Sequence, residues 1–479
     1  MKILFAAAEV SPFSKAGGLS DVVGSLPKAL DKDAEIAIFT PLHGCIDYNK
    51  WGLKELENSE MWISFGSSPQ KFKLHMAKLP GTDINVFFVQ NDWYFSCFQE
   101  VYPRWLDPRY EHERYIAFSL ATLEDAKQLN FRADIIHSND WHTAMIPLYI
   151  KANYKFDEFW AKTKNVFEIH NLAYQGVWFE DILDFANMRK DIVFNEWGCE
   201  HYGRVNWMKG AINYSDKVVA VSPNYAREIL TGEYGEGMDY TLRGHTNKLL
   251  GIVNGIDYSV FNPKTDKTLI KNYDINSLAN KEECKKKILE YFGLKYNPER
   301  PLIALISRLV DQKGLDLIRQ VENDLRNLEA DFIFLGSGDK SYENLFIWLS
   351  NNTPNIRTYV GYRGDLANQI YAGSDFFLMP SRFEPCGLSQ LIAMRFGSLP
   401  IVRATGGLED TVTGYPLDNS NGFKFWGYDG WAMKDAILTA MGVYRDKYTL
   451  NAMRKSAMEA DFSWKESAKK YLEMYRSLV

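Results

Sequence analysis

The stretch that decides the fold is "KILFAAAEVSPFSKAGGLSDVVGSLPKAL", residues 2–30. It opens on a short apolar run of strand formers. From Leu19 onward, Leu19, Val22, Val23, Leu26 and Leu30 recur at helical spacing. Gly17 and Gly18 therefore lie in a strand-to-helix loop. Glycine there lets a ligand approach the backbone closely, and a helix N-terminus attracts anions. Lys15 adds a full positive charge. Two readings are open at this point: a phosphate or sugar site on the edge of an α/β sheet, or a turning loop with a solvated lysine.

The same alternation runs through the rest of the chain. Apolar runs separated by helical stretches appear as "AEIAIFTP", "INVFFVQ", "ADIIHSND", "NVFEIHN", "DKVVAVSP" and "LLGIVNG". A second set follows: "PLIALISRL", "DFIFLGSG", "IRTYVGY", "DFFLMPS" and "SLPIVRAT". Strands alternating with helices predict parallel sheets covered on both faces. At 479 residues the chain is too long for one ordinary core. The expected fold class is α/β, with two facing, doubly wound, Rossmann-like domains. The boundary falls near residues 255–263, where "NG" marks a turn and Pro263 breaks regular structure. This gives residues 1–255, 256–460 and a final helix, 461–479. In that helix Trp464, Ala468, Tyr471, Leu472 and Tyr475 share helical spacing, so it must bury one face.

Composition excludes several classes. The formal net charge is −6, so no basic excess favours nucleic acid. No apolar run is long enough for a membrane span. The N-terminus is a strand rather than a signal peptide. Cys45, Cys97, Cys199, Cys284 and Cys386 are scattered and odd in number, which predicts reduced thiols and argues against a zinc site. Aromatics at 14% suit a carbohydrate binder, although most aromatics fill cores.

In doubly wound sheets, ligands bind beyond the carboxyl ends of strands. Polar, charged or glycine residues stand there repeatedly: Lys15 to Gly18, Asn91 to Tyr94, His137 to His142 and His170-Asn171 in the first half. In the second half they are Arg308 with Lys313, Gly336 to Gly338, Tyr362-Arg363, Ser381 to Pro385 and Thr405 to Gly407. Their recurrence at one topological place predicts a cleft. Arg308 and Lys313 fit a cationic clamp on a diphosphate. "TGGL" offers backbone N–H groups before a helix. Glu384, between Phe383 and Pro385, is expected to be partly buried. His137, Asp140 and His142 suggest a metal site only weakly, since their spacing is not that of a helical pair. Each cluster has a plainer alternative as turn or surface charge.

At this level of detail the chain resembles the bacterial glycogen synthases and plant starch synthases, the ADP-glucose-dependent α-1,4-glucan synthases of the GT-B fold. The strings that carry the likeness include "AAAEVSPFSKAGGLSDVVGSLPKAL", "DIIHSNDWHTAMIP", "VFEIHNLAYQG" and "GIVNGIDYSVFNP". Others are "ISRLVDQKGLDLI", "SRFEPCGLSQLIAMRFGSLPIVRATGGLEDTV" and "DFSWKESAKKYLEMYR". They run in the family's order from the first residues to the last twenty. The resemblance implies a retaining transfer of glucose to the non-reducing 4-OH of a glucan such as a maltooligosaccharide, glycogen or starch. It implies no metal and no organic cofactor.

Carried over residue by residue, the resemblance implies that Lys15 and Gly18 meet the donor diphosphate while Gly17 shapes the loop. Arg308 and Lys313 take the phosphates, helped by N–H groups of Thr405, Gly406 and Gly407. Tyr362 stacks on the base and Glu384 holds the transferred glucose. Asn254, Cys386 and Gly387 belong to the donor side. His170 and Asp140 line the reaction centre; Asp21, Tyr94, Asp140 and Asn171 fall on the acceptor side. The final helix crosses back to the first domain. The compartment is the cytoplasm for a bacterial chain, or the plastid for a plant or algal one. Three positions depart from the family pattern: Ala16 replaces the commoner Thr, Ile392 stands where many GT-B enzymes have a second glutamate, and Arg363 follows Tyr362. The rival readings are a UDP-glucose enzyme or phosphorylase of the same fold, and a non-catalytic glucan-binding scaffold.

Overall fold

A computed structural model describes residues 1–479 apart from Arg104. The chain forms two compact units. One comprises Met1–Gly255 together with Trp464–Val479; the other is Ile256–Ser463.

In the first unit, the strands Lys2–Ala6, Glu35–Pro41 and Asn85–Gln90 lie side by side and parallel. The chain then returns to the other edge of Lys2–Ala6 with Ile135–Asn139, and continues outward through Lys164–Ile169, Lys217–Ala220 and Leu249–Gly251. The strand order thus reverses beside Lys2–Ala6, and its loop and that of Ile135–Asn139 open at the switch point. Ile135–Asn139 is buried at every residue, as a strand covered on both faces must be. All the expected strands of this half are present.

An antiparallel arm extends the sheet. Ser68–Lys78 pairs antiparallel with Asn85–Gln90, and Met61–Phe65 and Lys54–Glu55 pair with it in turn. Nothing in the apolar runs announced this arm. Its signal was alternation instead: Phe72 and Leu74 point inward between exposed Lys71 and half-buried Lys73.

The helix Gly18–Leu30 buries Leu19, Val22, Val23, Leu26 and Leu30, as its spacing requires. The C-terminal helix Trp464–Arg476 packs against it. Trp464, Ala468, Tyr471, Met474 and Tyr475 enter the same core as Phe5, Val22 and Ile38. Leu472 is only partly buried there; Met474 takes the deeper place.

In the second unit, six parallel strands run in the order Ile356–Val360, Asp331–Gly336, Leu302–Ile306, Phe376–Met379, Leu399–Arg403 and Phe423–Phe425. The reversal here lies between Leu302–Ile306 and Phe376–Met379. Their loops carry Arg308 to Lys313 and Ser381 to Glu384. The core is built from both faces of these strands, for example Ile303, Phe332, Phe377 and Ile401.

Candidate active site

In the first unit a single carboxylate organises the glycine loop. Glu9 is 1% exposed and accepts from the N–H groups of Ala16 and Gly17, the latter at 3.1 Å. Gly17 is extended, a conformation open to any residue. Its need for glycine comes from proximity: a Cβ there would stand 3.3 Å from Glu9 Oε1. Lys15 projects from this loop, exposed, with its Nζ 2.7 Å from Asp21 Oδ1 on the first turn of the helix. Glu9 was missed in the sequence; an acid at the very end of a buried apolar run was its only signal.

Burial pushes the Glu9 carboxyl up to about 7 from an ordinary value near 4.5, against the two backbone N–H groups that favour its charge. The folded state therefore holds this proton more tightly than the unfolded chain. The stability it contributes is full below pH 4.5 and is lost as pH rises to 7, on the order of 3 kcal/mol in all. Glu9→Gln removes the titration. The melting temperature of the variant should therefore gain on that of the parent between pH 4.5 and 7 and run parallel above. A constant difference across that range would show that Glu9 does not titrate there.

Asp140 joins two strand ends. Its N–H donates to Glu168 O at 2.9 Å, and its carboxylate Oδ1 accepts from the N–H groups of His170 at 2.8 Å and Asn171 at 3.3 Å. Its φ of 54° with ψ of −179° is a conformation almost reserved for glycine, held here by those bonds. Burial raises the Asp140 carboxyl, opposed by the His170 ring and the two N–H donors. Asn171 turns its own Oδ1 back to Ala173 N–H, so its side chain shapes the turn.

The His170 ring is fixed as well. Asn139 Nδ2 donates to Ala6 O and His137 O, which leaves Asn139 Oδ1 to face His170 Nε2 at 3.0 Å. An acceptor at that place assigns the proton to Nε2 and leaves Nδ1 as an acceptor. His137 and His142 do not join Asp140. His137 lies inside its strand, stacked on Phe5, and His142 packs against Tyr115 and Trp141. Burial, with Arg114 nearby, pushes His142 down to about 3. Among the described residues, no group of three or more His, Cys, Asp or Glu side chains is arranged to hold a metal ion.

Tyr94, expected on the acceptor side, is a buried residue here. It is 3% exposed, inside the turn Asp92–Ser96, with its ring among Phe65, Phe95 and Tyr110. The Asn91 side chain accepts from Tyr94 N–H and sets the turn so that Trp93, 67% exposed, faces solvent instead. Asn254 is buried near the end of this unit's first segment, with its Oδ1 unpartnered.

In the second unit, Lys313 Nζ lies 2.6 Å from Glu384 Oε2, and Ser381 Oγ donates to the same oxygen at 2.9 Å. Glu384 is buried, as Phe383 and Pro385 suggested. An ammonium carries three donors, so this pair orients Lys313 and leaves donors for a phosphate. Arg308 is exposed at the end of its strand. Tyr362 is exposed too, while Arg363 turns aside to Asp365 at 2.5 Å.

The glycines at 406 and 407 work differently from the expectation. Thr405 N–H donates to Arg403 O, and Gly407 N–H is shared between Glu384 O and Pro385 O, at 3.1 and 3.2 Å. Those two donors are spent on backbone rather than presented to a phosphate. Gly406 has φ 46°, and a Cβ on it would collide with Glu384 O. The stretch therefore braces the Glu384 loop from behind. A Cβ on Gly407 would likewise strike the backbone of the buried Cys386. Gly387 turns with φ 74°, and Gln390, fully buried, straps the loop by donating to Cys386 O and Gly387 O. Gln390 was not singled out in the sequence. Ile392, at the position of the absent second glutamate, is a core residue.

Known proteins resemble this chain along its whole length. Residues 2–244 match the family described as starch synthase catalytic domain, and residues 300–442 match glycosyl transferases group 1. The chain belongs to the starch synthase catalytic family. A glycogen synthase of Thermotoga maritima is 43% identical over 488 aligned positions, covering all of this chain and 99% of that one. A glycogen synthase of Bacillus anthracis is 40% identical, with both chains covered in full. The catalytic domain of starch synthase IV from Arabidopsis thaliana, bound to ADP and acarbose, superposes with a TM-score of 0.92 at 34% identity, covering 100% and 99% of the two chains. Membership in the starch synthase family makes the chain a glycosyltransferase of the GT-B fold. Among the described residues, no helix is long and apolar enough to cross a membrane.

Proposed function

We propose that this enzyme transfers glucose from ADP-glucose to the non-reducing 4-OH of an α-1,4-glucan, with retention at C1. The observation that carries the reading is the Lys313–Glu384 pair at the switch point of the second unit, with Arg308 at the neighbouring strand end. Cleavage of the glucosyl–phosphate bond builds positive character at C1 and negative charge on the departing diphosphate. Arg308 and Lys313 stabilise that charge; in the first unit, Lys15 is the cation of the glycine loop. Glu384 holds Lys313 in place and accepts from the glucose hydroxyls. In the first unit His170 offers Nδ1 to a sugar hydroxyl, while Asp140 keeps its backbone in position. Gly17 and Gly18 leave the Lys15 loop open to a phosphate, Cys386 and Gly387 shape the donor side of the second unit, and Asn254 is the donor-side residue of the first. Tyr362 offers an exposed ring to the adenine. Asp21 steers Lys15.

The ADP bound in the Arabidopsis relative supports an adenine nucleotide, and the acarbose there supports an oligosaccharide acceptor. The bacterial relatives favour the cytoplasm over the plastid. The test is kcat/KM for ADP-glucose and UDP-glucose with one maltooligosaccharide. ADP-glucose is expected to be used far better; equal values or a preference for UDP-glucose would sink the donor assignment.

A further inference from the structure

Two tyrosines of the C-terminal helix reach Glu168 and His137 on neighbouring strands. Tyr471 and Tyr475 lie one helical turn apart on Trp464–Arg476 and are both wholly buried. The Tyr471 hydroxyl donates to Glu168 Oε1 at 3.0 Å. The Tyr475 hydroxyl stands 2.5 Å from His137 Nδ1. His137 Nε2 is 2.8 Å from Glu168 Oε2, and Glu168 Oε1 is 3.6 Å from His170 Nε2.

Glu168 sits in an interior strand with no solvent exposure. A carboxylate there is costly unless its partners hold it, and an apolar side chain would fill the place at less cost. Burial pushes its carboxyl up, but His170, His137 and the Tyr471 hydroxyl outweigh this and hold it below its usual value. Burial, then the Glu168 charge, keeps Tyr475 protonated. A Tyr475 O–H directed at His137 Nδ1 leaves His137 Nε2–H for the carboxylate. Tyr475 thus sets the tautomer of His137, whose Nε2 closes on one Glu168 oxygen while Tyr471 donates to the other. The network ends beside the one N–H of His170, which Asn139 also engages.

We infer that Tyr471 and Tyr475 are positioning residues, which aim the Glu168 carboxylate so that its charge orients and polarises the His170 ring during glucosyl transfer. The C-terminal helix then contributes to turnover as well as to packing. This rests on the proposed place of His170 at the transferred sugar.

The test uses the full chain with Tyr471→Phe, which keeps the ring and removes only the hydroxyl. At temperatures well below melting, kcat should fall about tenfold, equivalent to ~1.4 kcal/mol, at unchanged KM for ADP-glucose. In a Glu168→Gln chain, where the charge is already gone, the same change should lower kcat by less than about twofold, under ~0.4 kcal/mol. A hydroxyl that merely packs would lower the melting temperature and spare kcat, or its effect would multiply with Glu168→Gln; either result overturns the inference. Should Glu168→Gln not fold, ring ¹⁵N spectra decide. His170 should show a single Nε2–H tautomer in the parent and an altered ring signal in both Tyr471→Phe and Tyr475→Phe; identical spectra overturn the inference. His170→Ala separates the two levels. If it abolishes turnover while Tyr471→Phe is normal, only this inference falls; if it turns over normally, the reading beneath it falls too.

Discussion

Lys313→Ala is expected to lower kcat about 10²–10³-fold, the loss typical of one preorganised charge contact to a developing anion. The lysine ends a short turn, Asp311–Lys313, at the edge of the second unit. Its removal leaves the sheet and core of that unit intact. It does leave Glu384, 6% exposed, with Ser381 as the hydroxyl partner of Oε2. A buried carboxylate that loses its cation is penalised, so some fall in melting temperature accompanies the loss of rate. Glu384→Gln distinguishes the two effects, because the amide keeps a neutral partner for Ser381. The double variant should lose little more rate than the worse single one, since the two groups act as a unit. Arg308→Ala should lose rate with no fall in melting temperature, because the side chain is exposed. Near-parental turnover in Lys313→Ala would return Lys313 to an ordinary surface charge.

The central strands were legible because strands such as Ile135–Asn139 and Leu302–Ile306 are buried on both faces and read as unbroken apolar runs. The positions of Lys313 and Glu384 were legible because they follow such runs at the switch point of the sheet. What escaped was long-range or finely angular. Trp93 and Tyr94 are neighbours with similar chemistry, and a turn fixed by Asn91 decides which one meets solvent. The donors of Thr405 and Gly407 looked free in the sequence; their acceptors include carbonyls of Glu384 and Pro385, more than a strand away. Glu168 lies in "NVFEIHN", a stretch read only as an apolar run, with nothing nearby in sequence to mark it. Its partner Tyr471 lies 303 residues along the chain.

That last pairing bears on a truncation after Ser463, which should be the most destructive change of all. It removes Trp464, Tyr471, Met474 and Tyr475, each at most 5% exposed. At about 2 kcal/mol for the burial that each large side chain supplies, the loss is on the order of 8 kcal/mol. Whole-domain stabilities are themselves only about 5–15 kcal/mol. The loss also opens the helix Gly18–Leu30 to solvent along the face that Trp464–Arg476 covers. Ser467 Oγ no longer donates to Val253 O, and Glu168 and His137 lose the tyrosine hydroxyls beside them. The expected result is a fall of about 20 °C or more in the melting of the first unit, with turnover abolished. Ile256–Ser463 retains every strand of its own sheet, so calorimetry should show its transition persisting while the other collapses. The outcome separates this effect from Tyr471→Phe, which should slow an enzyme that still melts as a folded protein. A truncated chain that melts and turns over like the intact one would make the helix a dispensable tail and leave both tyrosines without a role.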